Sequence, residues 1–159
     1  NESATDAKVS EAILAPVSGK VEPLTNVNDP VFSGEMMGKG IAIVPTDGTI
    51  YAPFSGTLTV FYDSKHAYGI RSDKGTELLI NIGIDTVNLK GKHFTTNKKQ
   101  GDAVQKGEVL GTFDRKAIEQ AGYDTTVMLV VTNTGDYKEV TPASAANVNF
   151  GEDILTVQA

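Results

Sequence analysis

Leu78-Leu79-Ile80-Asn81-Ile82-Gly83-Ile84-Asp85-Thr86-Val87-Asn88-Leu89-Lys90-Gly91 reads as an apolar strand running into a loop. The stretches around it repeat the pattern. Gly40 to Pro45 runs into a Thr46-Asp47-Gly48 turn and then Thr49 to Ala52, and Asp-Gly between apolar runs signals a hairpin. Thr57 to Tyr62 alternates in part. Ala67 to Arg71 and Glu77 to Ile82 flank Ser72-Asp73-Lys74-Gly75, a second expected hairpin turn. Val127 to Thr132 is continuously apolar, so it is expected to be buried on both faces. Ile154 to Val157 is the last expected strand. Short apolar stretches separated by Gly, Pro, Asn and Asp make an all-β pattern.

Helical signal is scarce. Asp114 to Gly122 is the best case, with Asp114 capping its start, Gly122 its end, and Ile118 and Ala121 facing inward. Asp29 to Met37 has room for one helical turn. Ala15-Pro16-Val17-Ser18-Gly19-Lys20-Val21 is echoed 37 residues later by Ala52-Pro53-Phe54-Ser55-Gly56-Thr57-Leu58. Each copy has a Pro, then a Ser-Gly that allows a bulge or tight turn, then a strand. Two copies suggest two similar strand entries in one closed β structure. Residues 1–12 are small, polar and charged and read as a flexible tail or linker, so one domain is expected over 13–159.

The chain has 159 residues, enough for one domain with a real core. No apolar run approaches the roughly 18 residues needed to cross a bilayer. No secretory signal pattern opens the chain. There are no cysteines, which removes disulfides, thiolate metal sites and cysteine nucleophiles and fits a reducing compartment. A net charge of −6 argues against nucleic acid and against an anionic membrane surface as partners. Only two histidines, His66 and His93, are available for chemistry.

Four segments resemble the glucose-type enzyme IIA domain of the bacterial phosphoenolpyruvate-dependent sugar phosphotransferase system. They are Ala15 to Gly19, Val31-Phe32 through Met36-Met37-Gly38-Lys39-Gly40-Ile41-Ala42-Ile43, Ser64-Lys65-His66-Ala67-Tyr68-Gly69-Ile70, and the Asn81 to Gly91 stretch. Their order and spacing span roughly residues 13 to 132. The resemblance implies an antiparallel β-sandwich of the barrel-sandwich type with one or two short helical turns. It also implies a shallow apolar site face carrying two histidines. One accepts a phosphoryl group from the histidine-containing phosphocarrier protein and hands it to a cysteine on the sugar-specific IIB domain. The other stabilises the phosphate. Here Asn81 stands at the acceptor position and His66 matches the supporting histidine. Ser64 matches a hydroxyl residue near it, and Asp85 a carboxylate just after the acceptor. Val31, Phe32, Met36, Met37, Tyr62, Leu79 and Val87 match the rim that docks partners. No cofactor and no metal are implied, and the expected location is the cytoplasm, free or tethered to a membrane permease.

Phosphoryl transfer needs positioning and neutralisation of charge on the equatorial oxygens. A neutral imidazole nitrogen is a good nucleophile, and a second imidazole can offer its N–H to the phosphate. The carboxamide nitrogen of Asn81 is delocalised into its carbonyl and has no free lone pair. Asn mimics the near ring nitrogen of histidine but does not reach as far as the remote one. The chain is therefore expected to be inactive as a carrier or trapped unphosphorylated, so whether it takes part in catalysis is open. Asn81 is either an introduced change or the mark of a degenerate domain that binds partners as a regulator on a permease.

Plainer readings stand beside these. Without the motif, His66 is a surface histidine in a turn. His93 reads as a solvated loop residue, and Asp85 as a turn former. On a strand, only one of Met36 and Met37 would be exposed. Lys90, Lys92, Lys98 and Lys99 read as a solvated loop face that could steer an acidic partner. A swinging-arm carrier would place a modified lysine at a hairpin tip such as Lys74, but the flanking sequence supports this poorly. A zinc peptidase needs about three protein ligands, and two histidines with no His-x-His pair do not supply them.

Overall fold

Backbone pairing in the described part of the chain is antiparallel throughout. The structure, a computed structural model, describes residues 9–159. The tail expected over residues 1–12 therefore lies outside the described residues as far as residue 8. Strand β1 (Glu11–Leu14) opens two residues before Ile13, where order was expected to begin. The Glu11 carboxylate explains the earlier start. It accepts from Ser72 Oγ at 2.5 Å and from Thr76 Oγ1, which fastens the strand to a neighbouring turn.

The other strands are β2 (Gly19–Pro23), β3 (Lys39–Pro45), β4 (Thr49–Tyr51), β5 (Gly56–Phe61), β6 (Ala67–Ser72), β7 (Glu77–Ile82) and β8 (Phe94–Thr95). They continue with β9 (Ala103–Val104), β10 (Val109–Phe113), β11 (Val127–Val131), β12 (Glu139–Pro142), β13 (Asn147–Val148) and β14 (Asp153–Gln158). An eight-stranded sheet runs β13-β2-β3-β11-β7-β6-β5-β9, and two three-stranded sheets run β1-β14-β12 and β4-β10-β8. Helices α1 (Pro30–Ser33) and α2 (Arg115–Gln120) are short. The all-β antiparallel sandwich with short helical turns is thus what the chain forms.

Strand β11 lies between β3 and β7, and all five of its residues are buried. Val127, Leu129 and Val131 face the main core with Ile41, Ile43, Ile80 and Ile82, while Met128 and Val130 face a second cluster with Leu24, Val27, Phe32 and Ala42. A strand covered on both sides has no polar face to alternate with, hence the unbroken apolar run.

The turns explain two outcomes. Gly75 adopts φ +103 and closes the β6–β7 hairpin as expected. The Asp47-Gly48 turn does not make a hairpin. β3 pairs with β2 and β11, whereas β4 pairs with β10. Gly48 turns the chain from one sheet to another, and a Cβ there would lie 2.3 Å from the Phe113 carbonyl. Helix α2 is capped by Asp114 Oδ1, which accepts from Ala117 N at 3.1 Å, and Gly122 follows with φ +95. Ile118 is buried as expected; Ala121 is exposed, because the helix ends before its side chain turns inward.

The repeat proves to be half of a larger duplication. β2 and β5 are each second from an end of the large sheet. Leu14 N donates to Pro53 O and Tyr51 N to Pro16 O, a reciprocal pair across the 37-residue offset. Each copy also grips a second Gly-Glu segment. Phe150 N donates to Ser18 Oγ and Lys106 N to Ser55 Oγ, both at 2.9 Å. Glu152 caps Asn149 N as Glu108 caps Gln105 N, and Gly151 and Gly107 adopt φ +87 and +83.

Candidate functional site

Asn81 sits near the end of β7, paired with Ala67 on β6 and with Met128 on β11. Alternation along β7 sends Ile80 and Ile82 into the main core and turns Leu79 toward the second cluster, so Asn81 shares the Leu79 face. His66 immediately precedes the residue facing Asn81, and its carbonyl accepts from Ile82 N at 2.7 Å. Residue 66, in the bend that leads into β6, therefore lies next to the end of β7 that carries residue 81.

The His66 ring is half-buried, and burial holds its pKa below the ordinary value near 6.5. Its Nδ1 lies 2.6 Å from Ser64 Oγ, and Tyr62 stacks on the ring with centroids 5.6 Å apart. Asn81 is also half-buried, and its Nδ2 donates to the Gly83 carbonyl at 2.8 Å. Gly83 is at φ +80, and a Cβ there would lie 2.4 Å from the Thr86 methyl, so only glycine brings this carbonyl under residue 81. Ile84 N and Gly83 N donate to the carbonyls of Asp124 and Thr126, which ties the loop after β7 to the start of β11.

Among the described residues, five non-glycine residues have positive φ: Glu35, Lys65, Asp85, Lys90 and His93. Lys65 directly precedes His66 and Asp85 follows Gly83 by two residues, and the other three lie in the loop after Asp85 or in the segment after the second cluster's Phe32. Such conformations cost on the order of 1–3 kcal/mol each and gather where a loop shape is needed.

The expected rim separates into two groups. Val31, Met36, Met37, Tyr62 and Val87 are exposed, Met36 at 76%. Met36 and Met37 are both exposed because they lie in the turn after α1, where strand alternation does not apply. Met37, Val60, Tyr62, Gly69 and Leu79 line a shallow hollow of about 170 Å³. Leu79 is half-buried. Phe32 is not rim but core: it is 8% exposed and packs with Leu24, Val27 and Met128. Asp29 Oδ1 caps Val31 N and starts the helix that turns Phe32 inward.

Asp85 is exposed and left-handed (φ 62), and its side chain makes no cap bond to the turn Thr86–Leu89 that it precedes. His93 is half-buried rather than solvated, and its carbonyl accepts from Asp114 N. Lys98 is not a free surface charge, since it pairs with Glu108. No helix among the described residues is long and apolar enough to cross a membrane.

The fold is an antiparallel sandwich with a small, largely apolar-lined hollow and a histidine at the sheet end where Asn81 stands. The chain belongs to the family of the phosphoenolpyruvate-dependent sugar phosphotransferase system, EIIA 1, whose model matches residues 11–137. It is a glucose-type IIA domain. The sucrose-specific EIIBCA component of Pediococcus pentosaceus is 54% identical over 149 residues, covering 94% of this chain and 23% of that protein. The glucose-specific EIIA component of Oceanobacillus iheyensis is 37% identical over 141 residues, covering 89% and 86%. The solved glucose permease IIA from Mycoplasma capricolum superposes with a TM-score of 0.84 at 32% identity, covering 93% and 96% of the two chains. The chain spans only 21 to 23% of the length of the fused EIIBCA relatives it matches.

Proposed function

We propose that this domain is the IIA component of a sugar permease on the cytoplasmic side of a membrane. It docks the histidine-containing phosphocarrier protein and a IIB domain on the face around His66, with Asn81 at the acceptor position. The EIIBCA names of the relatives supply the IIB and permease partners.

The observation that carries the reading is the Asn81 Nδ2 bond to the Gly83 carbonyl. A histidine at 81 could make this bond with Nδ1–H. That would fix its tautomer and leave the remote nitrogen unprotonated and outward, as a nucleophile requires. Asparagine satisfies the carbonyl and offers nothing beyond it. Beside it, a neutral His66 accepting from Ser64 at Nδ1 carries its proton on Nε2, ready to donate to a phosphate. The exposed apolar side chains of Val31, Met36, Tyr62 and Val87 support a docking rim on this reading. The result is a domain that binds like a carrier and does not carry phosphate at residue 81.

Incubation with enzyme I, the phosphocarrier protein and labelled phosphoenolpyruvate tests this. Asn81→His should gain an acid-labile label at residue 81, and the parent chain none there. Label on the parent's Asn81, or none on Asn81→His, contradicts the reading. Because the exposed rim persists although the acceptor atom is missing, a second reading is a regulatory module that holds a permease or the phosphocarrier without phosphate passing through residue 81.

A further inference from the structure

Ser64 and His66 have the spacing of a nucleophile and its base. Oγ and Nδ1 are 2.6 Å apart, both residues are half-buried, and Tyr62 stacks on the imidazole and orients it. Burial keeps the ring neutral at pH 7, so one ring nitrogen is free to take a proton. Lys65, between them, is held at φ +59, and Lys65 N donates to Tyr62 O at 2.9 Å. That turn sets the serine against the ring. With Asn81 unable to act as nucleophile, the Ser64 hydroxyl is a nucleophile already paired with a base on this face.

We propose that Ser64 is a phosphoryl acceptor in this chain, taking the group from a phospho-imidazole donor docked on the His66 face. The proposal rests on the docking reading above. In the step, the Ser64 Oγ–P bond forms as the donor's P–N bond breaks. The bonding pair stays on the donor nitrogen, which takes a proton from water. The Ser64 proton passes to His66 Nδ1 and then to water. No other reactant is needed. The product is a phosphate monoester, which is far less reactive than a phospho-imidazole, so the transfer ends there. A relay site becomes a site that records the phosphorylation state of its donor.

The chain is incubated with enzyme I, the histidine-containing phosphocarrier protein and labelled phosphoenolpyruvate, then acid-treated and mapped by mass spectrometry. The expected result is acid-stable phosphate on Ser64, absent in Ser64→Ala and formed about 100-fold more slowly in His66→Ala. Asn81→His serves as the control for donor docking. If it takes an acid-labile label while Ser64 of the parent takes none, this inference is overturned and the docking reading stands. If neither is labelled, both fail. Ser64 label that forms equally fast in His66→Ala overturns the role of His66 as base.

Discussion

Asn81 and His66 show how much one side chain decides at this site. Both lie on the same sheet end, both are half-buried, and each spends one nitrogen on a local partner, Gly83 O for Asn81 and Ser64 Oγ for His66. What remains differs: an imidazole keeps a second nitrogen, and a carboxamide keeps an oxygen with no nucleophilic use. Burial of His66 has a measurable consequence. Its folded pKa lies below the unfolded value near 6.5, so the unfolded chain binds the proton first as pH falls. The contribution is full above that value and is lost as pH drops through it toward the folded pKa. Urea midpoints measured at pH 7.5 and 5.5 should therefore fall toward acid, and the fall should be smaller in His66→Gln. An equal fall in both proteins would show that His66 does not carry it. At this scale the motif singled out Asn81, His66 and Ser64, and the fold brings Ser64 Oγ against the His66 ring. The motif did not distinguish Phe32 from its neighbour Val31, because a four-residue helix, and not strand alternation, decides which of the two points inward.

At the scale of elements, the strands were readable where burial leaves a mark in composition, as in β11 and β7. The Asp47-Gly48 hairpin was not. An Asp-Gly turn reports that the chain reverses or bends, not which strand receives it, and β4 is claimed by β10. Close approach between strands was equally hidden. Gly40 lies in β3 against β11, and a Cβ there would sit 1.7 Å from the Leu129 carbonyl. Gly40→Ala must push apart the two strands that divide the cores, and it should cost about 3 kcal/mol or more. The cap at α2 is a milder test, since Asp114→Ala removes one side-chain bond to a helix N-terminus and should cost about 1 kcal/mol. Denaturant unfolding of both variants should rank them in that order. Equal losses would mean that β3 and β11 can separate cheaply.

Across the whole molecule, the duplicated strand entries supply the strands second from each end of the large sheet, and the loop that carries Ser64 and His66 joins one of them, β5, to β6. The Ala-Pro-x-Ser-Gly echo was visible in sequence, but its partners Gln105-Lys106-Gly107-Glu108 and Asn149-Phe150-Gly151-Glu152 were not. They share only Gly-Glu, and their likeness lies in backbone hydrogen bonds and positive φ, which many sequences satisfy. Two regions of the same architecture present apolar side chains at the surface. One is the hollow lined by Met37, Val60 and Tyr62, the last of which stacks on His66. The other is a stacked Tyr51–Phe150 pair, ring centroids 4.0 Å apart, beside Val109. Only the first adjoins the candidate site. The most direct test is amide chemical-shift mapping of the isotope-labelled chain as unlabelled phosphocarrier protein is added. The predicted shifts concentrate at 31–38, 62–66 and 79–91. Shifts centred on Tyr51, Val109 and Phe150, or no shifts at saturating carrier, would contradict the assignment of the His66–Asn81 face as the docking surface.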